Sequence, residues 1–95
     1  MRKEELLDHL VDLARRMDFD VRYDRGSFRD GSCRLQDKRV IILNRTSPVG
    51  QKIAATAKAL NDQPLEGIFL LPAVREVITQ TRNNSAELIT ENHHG

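Results

Sequence analysis

The chain has 95 residues, with 15 Lys or Arg against 14 Asp or Glu, no Trp, one Tyr, three Phe and one Cys. That length supports a single core, since a domain of this size buries roughly two-thirds of the surface its unfolded chain exposes. The single cysteine excludes an internal disulfide, and the scarcity of aromatic rings removes most of the stacking surface used to grip single-stranded bases.

Apolar residues are clustered along the chain, so the composition predicts a folded domain with an aliphatic core of Leu, Ile, Val and Ala. No apolar run approaches the ~18 residues that a membrane span needs. The N-terminal MRKEELLDHL is charged and amphipathic, without the apolar stretch of a secretory signal. These features predict a soluble, cytoplasmic protein with no membrane partner. The glycosylation patterns at Asn44-Arg45-Thr46 and Asn83-Asn84-Ser85 then carry no meaning.

In chain order, Leu6, Leu7, Leu10, Val11, Leu13, Ala14 and Met17 recur at three- and four-residue spacing, predicting a helix over 3–17. Glu4 and Glu5 at its start and Arg15 and Arg16 at its end suit the helix dipole. The period then becomes two. Phe19, Val21 and Tyr23 alternate with charged residues, as in a half-buried strand. Residues 24–31, DRGSFRDG, read as a loop whose Phe28 folds back onto the core.

Residues 32–36 and 39–44 read as a hairpin joined at Asp37-Lys38. That register sets Leu35 opposite Val40 and Cys33 opposite Ile42, and it buries Cys33. Val40 to Leu43 is apolar on both faces, so this strand is central or part of an interface. Ser47 before Pro48 predicts an N-cap and a second helix over 48–61, rich in alanine. Ile68 to Leu71 reads as a short extended or turn segment packed into the core, because Pro72 pushes Leu71 from helical geometry. A third helix follows over 72–82. Residues 83–95 lack a sustained period and read as a mobile tail.

The predicted architecture is one α+β domain over 1–82, a small antiparallel sheet of about three strands covered by helices, in the order α-β-β-β-α-α.

No catalytic constellation emerges. His9 lies between carboxylates on the polar side of the first helix, and no two histidines lie one turn apart on a predicted helix. A phosphate-binding glycine loop and a serine elbow are absent from the sequence. The reading is therefore a protein without cofactor, metal or catalytic residues. An enzyme using Cys33 would need an exposed thiol beside a base.

Charge is unevenly spread. Residues 31–60 hold six Lys or Arg against one Asp, a net of +5, whereas the first thirty residues net −1 and the last thirty-five −3. Arg34, Lys38, Arg39 and Arg45, with Lys52 on the next helix, form a basic ribbon that could lie along phosphate. The competing reading is an edge strand protected by charge. Arg45 and Ser47 also fall at a predicted helix start, a position that favours a small anion.

In Gly31 to Arg34, Val40 to Asn44, Gln51 to Leu60 and Leu70 to Glu76 the chain resembles a group of small uncharacterised bacterial proteins. In these a Gly-x-Cys-Arg strand, a strand ending in Leu-Asn, a basic helix and Leu-Leu-Pro-Ala-Val-Arg-Glu follow one another. That resemblance implies no activity. The order helix, strand, glycine-led hairpin ending in Asn, then helix is also similar to the start of the ImmA/IrrE-type zinc peptidases. Their next helix carries His-Glu-x-x-His, whereas here it reads QKIAATAKALND, so no ligand carries over. The resemblance implies a scaffold without its metal.

The leading functional expectation is a non-catalytic binding or adaptor module, with an unknown protein partner or self-association through the two-faced strand and the small-residue helix. The alternative is nucleic-acid binding through the hairpin at 34–45.

Overall fold

The computed structural model describes the backbone of residues 1–94 and the side chains of residues 1–83. The elements are α1 (Lys3–Arg16), β1 (Phe19–Asp24), β2 (Gly31–Leu35), β3 (Lys38–Asn44), α2 (Val49–Asn61) and α3 (Pro72–His94). This is the expected α+β order. α3 continues past the expected end at Arg82. The tail expected at 83–95 falls almost wholly among residues whose side chains lie outside the description.

The sheet order is β1-β3-β2, with β2 antiparallel to β3 but β1 parallel to it. The expected all-antiparallel sheet is thus corrected to a mixed one. A parallel pair needs a connection of about a dozen residues, and here residues 25–37 supply it, with β2 forming part of the crossover. The connection is fastened at the end of β3, where Asn44 Nδ2 donates to the carbonyls of Gly26 and Phe28, 2.8 Å each. The Asn44 amide donates to Asp30 Oδ1, and Arg45 N donates to Asp24 O at 2.8 Å. Asn44 is itself only 4% exposed.

Alternation along the strands divides the sheet into two faces. Phe19, Val21, Ile41 and Leu43 meet Leu10, Leu13 and Ala14 of α1, Ile53, Ala57 and Leu60 of α2, and Val74 and Ile78 of α3 in one apolar cluster. α1 and α2 lie on this face, and α3 packs against both of them. After α1 the chain turns at Asp18, whose φ of 69° is the left-handed conformation that Asp tolerates better than most residues.

The hairpin differs from expectation in register. Its connection is Gln36-Asp37, Gln36 having φ 57°, so Leu35 lies opposite Lys38 and Cys33 opposite Val40. A slip of two residues preserves the face of every side chain, so Cys33, Leu35, Val40 and Ile42 do share one. That face is the one away from the helices. Cys33 is consequently exposed and Leu35 is 48% exposed, against the expected burial. Val40, at the centre of the sheet, is buried but stands apart from the helix-side cluster. β3 is the middle strand, the central one of the two placements its apolar faces allowed.

Ser47 does not cap α2. The capping position is Pro48, with no side-chain bond to the first turn, and Ser47 N donates to Asn44 O at 3.0 Å. The tight turn closing β3 takes up Ser47, so α2 starts one residue later than predicted.

Candidate functional site

The segment between α2 and α3 combines strong apolar character with irregular backbone. Gly67 has φ 78°, a left-handed turn that lets the chain reverse after Glu66, and Ile68 N donates to Leu65 O. Pro72 then opens α3, its fixed φ suiting the first helical position. Between these points Ile68, Leu70 and Leu71 are half-buried against the core cluster. Phe69 points the other way and is 79% exposed. The expectation that 68–71 packs inward as a unit is corrected in this respect: four successive apolar residues on irregular backbone cannot all face one side.

Two concavities share Phe69 as a wall. One, of about 570 Å³, lies against the first turns of α3 between Phe69, Pro72, Glu76 and Gln80. The other, of about 340 Å³, lies toward α1 and is bounded by His9, Leu13, Arg16 and Val74. A third, of about 380 Å³, reaches from Ile68 and Leu70 to Arg82. The loop is therefore an apolar ridge with a hollow on each flank, edged by His9, Arg16, Arg75 and Glu76. Arg16 is paired with Asp12 at 3.1 Å on the surface of α1. An aromatic ring between apolar hollows with a charged rim matches the composition of protein contact surfaces, where aromatic anchors carry much of the binding.

The basic residues singled out in the sequence are dispersed. Arg39 is half-buried on the helix side, its guanidinium 4.6 Å over the Phe19 ring, donating to Gln63 Oε1 and to the Met17 carbonyl. It fastens the end of α1, the sheet and the segment after α2, and is thereby committed to structure. Arg45 lies 5.4 Å over the Tyr23 ring beyond the end of β3. Burial raises the Tyr23 phenol above its ordinary value, opposed by Arg15 and Arg45 and reinforced by Asp8. Arg34 and Lys38 are exposed but project from opposite faces of the hairpin. Ser47 lines a shallow hollow with Phe28, Gln51 and Lys58, whereas Lys52 is half-buried on α2. Phe28 therefore rests beside α2 and not in the main cluster, in contrast to its expected packing onto the core.

Cys33 is a free, exposed thiol. Its cross-strand partner is Val40 and its same-face neighbours along β2 are Gly31 and Leu35, none of which can act as a base. His9 is exposed on α1. Among the described residues, no three His, Cys, Asp or Glu side chains come together to hold a metal, and no helix is long and apolar enough to cross a membrane.

No protein-family model matches the chain, and no curated protein or solved structure shows significant similarity to it.

Proposed function

We propose that the chain is a non-catalytic binding module, an adaptor that engages another protein through the loop around Phe69 and also associates with itself. The observation that carries this reading is Phe69, 79% exposed on a loop whose neighbours pack inward. Leaving such a ring in water forgoes about 1.5–3 kcal/mol of burial, which a partner's surface can recover. The hollows on either side would receive the partner's side chains, and the rim of His9, Arg16, Arg75 and Glu76 would set orientation.

A protein partner is favoured over nucleic acid. A phosphate backbone is bound by several cations acting together on one surface, and Arg39 is engaged internally while Arg34 and Lys38 face opposite ways.

The test is affinity chromatography of cell extract on wild-type protein and on Phe69→Ala, followed by titration of the recovered protein against both in purified form. Removing an aromatic anchor at the centre of an interface costs about 2 kcal/mol or more, so binding should weaken at least roughly tenfold. Equal affinity of the two forms would refute the Phe69 surface.

A further inference from the structure

The sheet order leaves β2 as an edge strand. Its amide pattern follows from the hairpin. With a two-residue connection, Leu35 and Lys38 exchange both backbone hydrogen bonds, and bonded and non-bonded pairs alternate from there. Gly31, Cys33 and Leu35 thus turn their backbone groups toward β3, whereas Ser32 and Arg34 turn theirs outward. The other edge, β1, carries Asp20, Arg22 and Asp24 at alternate positions, the charging that keeps an edge from pairing. β2 has only Arg34 and no proline.

We propose that β2 pairs antiparallel with the β2 of a second copy about a two-fold axis at Cys33, joining two three-stranded sheets into one of six strands. This rests on the self-association half of the reading above and gives it a surface.

Complementarity carries the choice of a second copy. In this register Ser32 faces Arg34 of the second copy, and their outward amides form two reciprocal bonded pairs across the axis. Gly31 faces Leu35 of the second copy on the side away from the helices. Leu35 is 48% exposed, and the space beside the Gly31 Cα is open, with nothing within 4 Å of where a Cβ would be. A large side chain opposite a glycine fills that gap. Cys33 then faces its own symmetry mate as a non-bonded pair, with Cα atoms about 4.5 Å apart, within the range a disulfide spans. The thiol is the reporter of this geometry; the edge and its register are the reason for it.

The experiment is sedimentation equilibrium of the wild type, of Ser32→Pro and of wild type alkylated at Cys33 with a bulky maleimide, from micromolar to millimolar concentration. Proline at 32 removes an outward amide and spares the hairpin, and alkylation needs no substitution. The expected masses are twice the 10.9 kDa of one chain for the wild type, one chain for Ser32→Pro and one chain plus its label for the alkylated protein, with unchanged circular dichroism. Brief oxidation by diamide, which takes up the two thiol hydrogens as the disulfide forms, should cross-link the wild-type dimer and leave Ser32→Pro uncross-linked. A dimer that persists in the alkylated protein would overturn the β2 pairing while leaving self-association standing. A wild type that is monomeric at every concentration would overturn both.

Discussion

Replacing Asn44 by Ala removes four side-chain hydrogen bonds at a position 4% exposed: two donated to the carbonyls of Gly26 and Phe28, and two accepted from the Thr46 amide and hydroxyl. A hydrogen bond contributes a net 0.5–1.5 kcal/mol, and the groups left behind lose more if water cannot reach them, so Asn44→Ala should cost about 2–4 kcal/mol. Gly26 and Thr46 are exposed and can be rehydrated, which holds the estimate below a full desolvation penalty. For a domain whose total stability is of order 5–15 kcal/mol this is a large fraction. The assay is urea denaturation followed by circular dichroism, with an unchanged denaturant slope showing that the folded state keeps its compactness. Asn44→Asp sharpens the test. It keeps the shape but turns a carboxylate toward two carbonyl oxygens, so it should be at least as damaging at neutral pH and recover partly as acid protonates the new side chain. A loss under about 0.5 kcal/mol for Asn44→Ala would refute the argument that this residue holds the 25–30 connection in place.

Other outcomes follow from the same placements. Ser47→Ala should change stability by less than about 0.5 kcal/mol in the same denaturation assay, because Ser47 makes no capping bond; a true N-cap would cost about 1 kcal/mol. Leu60→Ala, at a fully buried position between the helices and the sheet, should cost about 2–5 kcal/mol, whereas Phe69→Ala should leave the melting curve nearly unchanged. Tyr23 supplies a pH dependence. Its pKa is raised by burial in the folded state, so its contribution is fully present below the ordinary value of 10.0 and is lost as pH rises through the raised value. Tyr23→Phe should remove that alkaline slope in thermal melts recorded across the range, and an identical slope in the variant would contradict the burial argument.

Periodicity made the element order and most of the core legible. The helical stripe of α1 and the alternation of Phe19, Val21 and Tyr23 each follow from one face being buried, and local spacing reports that directly. What spacing cannot report is which side of a sheet the helices cover. Cys33, Leu35, Val40 and Ile42 do share a face, yet Ile41 and Leu43 between them are equally apolar, and only the partners on β1 decide. Phe19, Val21 and Tyr23 must bury the face they share with Ile41 and Leu43, while the other face of β1 presents Asp20, Arg22 and Asp24. Had the parallel pairing been known, those charges would have assigned Cys33 to the open side. The pairing itself was hidden because β2 serves both as a hairpin partner and as part of the crossover, and the polar side chain of Asn44 that fastens it reads in sequence as a strand end. The surroundings of Arg39 are hidden from the sequence for a related reason. A cation flanked by Lys38 and Val40 looks like part of a basic edge until Phe19, Met17 and Gln63, distant in sequence, close around it. Phe69 was obscured by its apolar neighbours, since hydropathy cannot tell the inward residues of IFLL from the outward one; the backbone reversal at Gly67 makes that choice. The surfaces proposed for binding thus lie where local pattern is ambiguous and tertiary contacts decide: the outward ring of an apolar loop, and the edge of a strand whose open face spacing alone does not reveal.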